Sequence, residues 1–270
     1  MDNAAMPRFE AMTTGALLDR AFRLYTSNFS LMLGITAAAY VPFYLVMLTL
    51  ASGLGVDIQN PSGLFSILYL IAFIILWSSV AFPIAGGAST YAISERYLGN
   101  EVTIGQALGR GTQCFWTLSL AQITATVRMM FGFFLLIIPG ILWMLSYSLI
   151  VPAIVVEGQK ALPSLKRSRY LVKGYRGKVF SITFLILLLE FILGAGIRMI
   201  LNLFVDTGSG GGAFFRSALE NLGSIVMTPL LVIASILLYY DMRIRKEGFD
   251  IEMLGRAVAG KAESGAVAAI

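Results

Sequence analysis

The chain has 270 residues, of which 57% are hydrophobic and 13% are charged, about half the charged share of an ordinary soluble domain. It contains no histidine and one cysteine, Cys114. Without histidine it lacks the most common general base and metal ligand, and a lone cysteine allows no intrachain disulfide or cysteine cage. The composition therefore predicts a membrane protein that is not an enzyme and that uses no metal or other cofactor.

Long apolar runs occupy more than half of the chain. A membrane-spanning helix needs about 20 consecutive apolar residues. The third run is long enough for two spans, and we expect Pro139-Gly140 to open the second of them. The sequence thus predicts six transmembrane helices in one membrane domain (30–242), between an N-terminal segment (1–29) and a C-terminal tail (243–270). The five runs are Ser30–Gly53, Gly63–Thr90, Phe115–Val156, Gly177–Val205 and Ala218–Met242.

The distribution of positive charge predicts the orientation. The segment Glu157–Lys178 is rich in lysine and arginine and has one acidic residue, and Arg243, Arg245 and Lys246 follow the last apolar run directly. Lysine and arginine concentrate in cytoplasmic loops. Both segments should therefore be cytoplasmic, and with six spans both termini should be cytoplasmic as well.

Three short segments that contain Leu-x-Arg precede spans one, three and five. They are centred on Leu18-Asp19-Arg20, Leu108-Gly109-Arg110 and Leu165-Lys166-Arg167. In the first segment the apolar residues recur at helical spacing, as in an amphipathic helix that lies in the headgroup plane. We expect an all-α fold of three helical hairpins, each preceded by a cytoplasmic amphipathic helix. These helices could act as anchors alone or could form a lipid or partner site.

Two opposite charges are predicted inside the membrane. Arg128 and Glu190 lie equally far into spans three and five, so they should be at matching depth. An unpaired charge there costs at least about 2.5–3.5 kcal/mol. We therefore expect Arg128 and Glu190 to form an ion pair or to share a polar neighbour such as Gln122. The pair could fasten two helices or could belong to a polar pathway.

The exit of the last span carries a cluster of aromatic and charged residues. Tyr239 and Tyr240 are expected in an interfacial aromatic belt. Arg243 and Arg245 could hold lipid phosphates, or they could pair with Glu157 and Asp241 in a charge network that joins the repeats. The candidate residues for a lipid or partner site at the cytoplasmic face are Lys166, Arg167, Arg169, Lys173, Tyr240, Asp241, Arg243 and Arg245.

The segment Leu237–Asp250 resembles the end of the bacterial glycerophosphoryl diester phosphodiesterase membrane-domain family. Leu17–Tyr25, Pro139-Gly140 and Leu165–Gly174 are also similar to that family. The resemblance implies a six-span protein of a bacterial cytoplasmic (inner) membrane. Some members also carry a soluble catalytic barrel that uses histidine, paired acidic residues and a divalent metal. This chain has no histidine, so the resemblance carries over no catalytic residues.

Two functional hypotheses follow. The first is a non-enzymatic integral membrane protein that binds membrane lipids, a protein partner or further copies of itself at the cytoplasmic face. The second is a transporter or channel-like protein for a small solute or lipid, which would use Arg128 and Glu190. We do not expect nucleic-acid binding, because a membrane surface accounts for the basic residues.

Overall fold

The computed structural model describes residues 11–56, 63–204 and 210–248, which form helices and no strand. One π-helical turn, Trp77–Ala81, joins α3 to α4. The helices are α1 (Thr14–Ser27), α2 (Phe29–Gly53), α3 (Leu64–Leu76), α4 (Phe82–Tyr97), α5 (Ile104–Gln113), α6 (Phe115–Leu135), α7 (Ile137–Ser146), α8 (Ile150–Glu157), α9 (Ala161–Val172), α10 (Arg176–Phe204) and α11 (Gly210–Glu247).

Six segments in the described part of the chain are long and apolar enough to cross a membrane, which confirms the all-helical, six-segment prediction at that level. The second segment combines α3, the π-helical turn and α4, and the fourth combines α7 and α8. The segments are Phe29–Ala51, Leu64–Tyr97, Phe115–Leu135, Ile137–Glu157, Arg176–Leu203 and Ile225–Glu247.

The last of these segments forms the centre of the bundle. About two thirds of its most apolar stretch is buried (67%), compared with 6% for Leu64–Tyr97 and 11% for Arg176–Leu203. Helix α11 packs against α1, α2, α4, α8, α9 and α10. Its buried side chains occur on all sides, including Ile233, Leu237 and Met242, which is typical of a helix surrounded by others.

Helices α4 and α5 approach each other backbone to backbone. A Cβ atom on Gly111 would lie 2.6 Å from the carbonyl oxygen of Ile84, and one on Gly87 would lie 3.4 Å from the Cα of Gly111. Small residues permit such close helix packing. A capping box, in which Thr103 and Gln106 exchange hydrogen bonds, starts α5 and satisfies two backbone groups at its N-terminus.

The reversal between α6 and α7 directly precedes the Pro139-Gly140 pair that is expected to open the fourth span. Leu136 has extended backbone angles (φ −165°, ψ 151°), and α7 begins at Ile137. Pro139 lies within the first turn of α7 rather than in the reversal. Proline is tolerated there because the first backbone N–H groups of a helix have no intrahelical partner.

Helices form at the three Leu-x-Arg segments, since α1, α5 and α9 directly precede α2, α6 and α10. Each buries one side against the bundle. Leu17 and Ala21 of α1, Gly111 of α5, and Leu165 and Leu171 of α9 are buried. The three short helices therefore pack into the core of the bundle.

Candidate functional site

Arg167 of α9 joins the ends of α8 and α11 through two carboxylates. Its Nη2 lies 2.6 Å from Oε1 of Glu157 and 2.8 Å from Oε2 of Glu247, and its Nε lies 2.8 Å from Oε2 of Glu157. The hydrogen bonds that Arg167 donates to Glu247 and Glu157 raise the pKa of Arg167, although partial burial opposes the shift. The guanidinium is thus occupied by protein carboxylates.

Arg243 and Tyr239 of α11 complete this cluster. Arg243 Nε lies 3.2 Å from Glu247 Oε2 and 3.7 Å from Glu157 Oε1. The Tyr239 hydroxyl donates to Glu157 Oε1 at 2.7 Å. Two arginines therefore face two carboxylates, and the formal charges within the cluster cancel.

A second cluster surrounds Asp241, whose side chain is fully buried. Its carboxylate accepts hydrogen bonds from the Met12 backbone N–H at 2.7 Å and from Arg245 Nε at 3.0 Å, and it pairs with Lys178. The Met12 carbonyl accepts from Lys178 Nζ at 2.6 Å and from Arg245 Nη2 at 2.7 Å. A buried carboxylate needs such partners to offset its desolvation, and here they join three distant parts of the chain.

Tyr240 is a core residue rather than one at the surface of the bundle. It is 1% exposed, and Tyr239 is 0% exposed, so the expectation of an aromatic belt for these two residues is wrong. The Tyr240 hydroxyl is 2.6 Å from Ser94 Oγ, and its ring stacks on Tyr97 with 5.4 Å between the centroids. Arg20 of α1 lies 4.9 Å from the Tyr97 centroid. These aromatic contacts connect α1, α4 and α11.

Three of the predicted cytoplasmic-face cations are exposed and differ from the rest because no carboxylate pairs with them among the described residues. Lys166, Arg169 and Lys173 recur at helical spacing along α9 and its C-cap. None of the three pairs with a carboxylate in the described part of the chain. By contrast, Arg167, one residue from Lys166, is held by two carboxylates. Helix α9 therefore has one internally neutralised arginine and a separate stripe of exposed cations.

The structure does not bring Arg128 to Glu190. No ion pair within 4.0 Å joins these two described residues, and Arg128 Nη1 instead lies 3.5 Å from the Tyr147 hydroxyl. Helix α6 packs on α4, α7 and α9, whereas α10 packs on α1, α7 and α11. Side chains on a helix tilt towards its N-terminus, which directs the long Arg128 side chain towards α9.

Tyr147 receives a second arginine from α9. Arg169 Nη2 lies 2.9 Å from the Tyr147 hydroxyl, and the guanidinium carbon is 5.7 Å from the ring centroid. Arg128 and Arg169 thus converge on one phenol oxygen. Residues 41 positions apart carry no periodic signal of their proximity, and the sequence did not indicate this site.

The fourth apolar segment is interrupted at Tyr147–Leu149, between α7 and α8. Ser168 of α9 satisfies two backbone groups at the interruption. Its Oγ accepts a hydrogen bond from the Leu149 N–H at 3.1 Å and donates one to the Ser146 carbonyl at 2.8 Å. Ser235 of α11 donates to the Ser148 carbonyl at 3.2 Å. Polar side chains from neighbouring helices commonly satisfy such breaks in membrane segments. The polar run Ser146-Tyr147-Ser148 within an apolar segment was the available sequence signal.

A cavity of about 250 Å³ borders this interruption. It lies between α6 and α10 and is bounded by α4, α7 and α11 as well. Its lining is mainly apolar, and Gln122, which was predicted as a polar neighbour of Arg128, contributes to it, whereas Arg128 and Glu190 do not. The lining also includes the polar residues Thr90, Tyr147, Ser148, Thr183 and Ser235.

In the part of the chain that the structure describes, these features define the class of protein as helical and multi-pass, with six helical segments suited to cross a membrane. Within the described ranges, no cluster of three or more His, Cys, Asp or Glu side chains could hold a metal. The chain matches no protein-family model, no curated protein and no solved structure.

Proposed function

We propose that this protein is a non-enzymatic integral membrane protein that binds anionic lipid at its cytoplasmic face. The exposed stripe Lys166, Arg169 and Lys173 carries the proposal, because these cations have no carboxylate partner in the described part of the chain. A lysine or arginine near an anionic membrane surface contributes about 1 kcal/mol to attraction. Arg167, Arg243 and Arg245 are committed to internal ion pairs, so we assign them a structural role.

The orientation belongs to the same proposal. The positive-inside rule favours a cytoplasmic position for α9 and the end of α11. In that arrangement α1, α5 and α9 lie at the inner interface, each ahead of one of three hairpins, and both termini are cytoplasmic. The resemblance of Leu237–Asp250 to a bacterial membrane-domain family supports an inner-membrane location. Protein partners and self-association are not needed to account for the stripe.

The test replaces two cations of the stripe and leaves its internal neighbours intact. In the double variant Lys166→Gln/Lys173→Gln, we expect retention of phosphatidylglycerol to fall by about 30-fold at low salt, because two contributions of about 1 kcal/mol are lost. Native mass spectrometry of the detergent-solubilised protein measures the retained lipid. Retention of phosphatidylcholine should not change.

The matched control is Arg23→Gln/Arg110→Gln, which removes two charges from α1 and α5. Arg23 pairs with Asp19 at 2.8 Å, and Arg110 Nη1 lies 3.4 Å from Gln113. This control should keep most of its phosphatidylglycerol. An equal loss in both double variants would indicate a nonspecific charge effect, and unchanged retention in the stripe variant would overturn the proposal.

Transport of a small solute is the second candidate, and the interrupted fourth segment favours it. Discontinuous helices often form substrate sites in transporters. Ser148 lies at the interruption and lines the cavity. If the cavity opens alternately to the two sides of the membrane, the cysteine of Ser148→Cys should be accessible from both. In a Cys114→Ser background it should then react with a membrane-impermeant maleimide applied from either side. Reaction from one side or from neither would argue against transport.

A further inference from the structure

We infer that Arg128, Tyr147 and Arg169 bind the phosphate of one phospholipid, and that an acyl chain of the same lipid occupies the cavity between α6 and α10. The inference rests on the proposed lipid-binding function and adds a defined site to it. It uses Arg128 and the cavity, which the exposed stripe on α9 does not include.

The first argument is the convergence of two cations. The Tyr147 hydroxyl is 2.9 Å from Arg169 Nη2 and 3.5 Å from Arg128 Nη1. Two guanidinium groups that approach the same oxygen are close enough to share the oxygens of one phosphate, and arginine is suited to such forked contacts. A tyrosine hydroxyl between them can donate a third hydrogen bond.

The second argument is the missing counter-charge. Neither Arg128 nor Arg169 has a carboxylate within ion-pair distance among the described residues. Glu157, the nearest acidic residue along the chain to Tyr147, is taken by Arg167 and Tyr239. Like charges at short range repel, and an anion between them converts the repulsion into attraction. The site therefore lacks one negatively charged group.

The third argument is the surroundings of Arg128. It is exposed on α6 and is flanked on that surface by Val127, Met130 and Phe131, which are 59%, 66% and 64% exposed. Such an apolar surface on a membrane-spanning helix faces lipid. An arginine in this position is costly unless it reaches an anion or water. A lipid phosphate at Tyr147 would supply the anion at the point to which the Arg128 side chain already extends.

The cavity identifies the ligand as a lipid rather than a soluble phosphate. Tyr147 belongs to both sites, because its hydroxyl contacts the arginines and the residue also lines the cavity. Beyond it, the lining includes Met129, Met144 and Ile186. A polar anion site that continues into an apolar cavity matches a molecule with an anionic head and a hydrocarbon chain.

Two types of variant test the two halves of the site separately. Arg128→Gln and Arg169→Gln remove the phosphate contacts, and we expect each to lower retention of dioleoyl phosphatidylglycerol by about tenfold, the effect of losing one hydrogen bond to a charged group. Gly86→Leu fills the cavity, because Gly86 lines it and a Cβ there would meet no atom within 4 Å. We expect it to lower retention of the same lipid while both arginines remain.

The control for cavity filling is Gly196→Leu. Gly196 is an exposed glycine of α10 that also has open space at its Cβ and does not line the cavity. It should retain lipid like the unmodified protein. Arg128→Lys preserves the positive charge but not the forked guanidinium, and it should lower lipid retention less than Arg128→Gln does. If Arg128→Gln lowers the unfolding temperature, Arg128→Lys and Gly86→Leu still test the two halves of the site.

Native mass spectrometry with dioleoyl phosphatidylglycerol and glycerol 3-phosphate separates the outcomes. The inference predicts retention of the lipid, no retention of glycerol 3-phosphate, and loss of lipid in the Arg128→Gln, Arg169→Gln and Gly86→Leu proteins. Equal lipid retention in folded Arg128→Gln, or equal binding of glycerol 3-phosphate, would overturn the site. The variant Lys166→Gln/Lys173→Gln leaves Arg128 and the cavity unchanged. If its lipid retention does not fall, that result counts against the proposed function alone.

Discussion

The carboxylate of Asp241 accepts a hydrogen bond from the backbone N–H of Met12, a residue 229 positions earlier in the chain. Met12 and Asp241 share the cations Lys178 and Arg245, since the Met12 carbonyl also accepts from both. The backbone of the N-terminal segment is thus built into the charge cluster at the end of α11. The stability of this end of the bundle should depend on the negative charge at Asp241.

Asp241→Asn should destabilise the protein by about 3–5 kcal/mol, because the loss of a fully buried carboxylate leaves Lys178 and Arg245 without their counter-charge. Thermal unfolding in detergent measures the loss. Asp19→Asn is the matched control, since Asp19 pairs with Arg23 on the surface and both side chains are mostly exposed. That change should cost no more than about 1 kcal/mol. Equal losses would contradict a special role for Asp241.

Arg167→Gln should destabilise the protein by roughly 2 kcal/mol, less than for a fully buried pair because the Arg167 side chain is 20% exposed. The substitution leaves Glu157 and Glu247 with one arginine between them. Unfolding temperature and lipid retention should be measured on the same sample. We expect phosphatidylglycerol retention per folded molecule to be unchanged. Lys166→Gln, at the adjacent position, should lower phosphatidylglycerol retention and have little effect on the unfolding temperature.

Gly111→Ala should lower stability by about 1–3 kcal/mol, the usual range for overpacking. The added methyl group would lie 2.6 Å from the Ile84 carbonyl oxygen and 3.0 Å from the Ala88 nitrogen, so α4 and α5 would have to separate. Gly109→Ala in the same helix meets no atom within 4 Å. It should be neutral or slightly stabilising, because alanine has the higher helix propensity. Denaturation of the two variants in parallel gives the comparison.

Ser168→Ala should cost about 1–3 kcal/mol, because the Leu149 N–H and the Ser146 carbonyl at the interruption would lose their side-chain partner. Ser164→Ala is a control on the same helix. Ser164 is equally buried, but its hydroxyl bonds only the Ala161 carbonyl within α9. Hydrogen exchange at Leu149 should quicken in the Ser168 variant alone. Exchange that is equally fast in both variants would show that Ser168 does not hold the interruption.

Hydropathy was sufficient to locate the spans, because each apolar segment sums a strong signal over about 20 residues. Charge pairing was harder to predict. The ion pair between Arg245 and Asp241 is local, at i and i+4, and residue spacing alone brings such groups together. The partner of Arg128 depends instead on which helix lies beside α6 and on the tilt of the side chain. Matching depth indicated Glu190, whereas the helix arrangement placed Tyr147 and Arg169 there.

The interruption at Tyr147–Leu149 also exceeded what the sequence could predict. An apolar run containing Ser146-Tyr147-Ser148 can form a continuous helix, because serine and tyrosine are tolerated in helices. The break is stable because Ser168 and Ser235, from two other helices, form hydrogen bonds with its backbone groups. Those contacts depend on the tertiary structure. The cavity beside the break has the same origin, and it was absent from the expectations based on sequence.

The contact between Met12 and Asp241 sets an order of events during synthesis. A ribosome adds about 5–20 residues per second, so the Met12 backbone waits about 10–50 s before its carboxylate partner is made. Until α11 has entered the bundle, Lys178 also lacks Asp241, and the N-terminal segment lacks its attachment to the end of α11. Completion of the last helix is therefore the step that fixes the N-terminal segment in place. In chains terminated before residue 241, the contact between Met12 and Asp241 should not form.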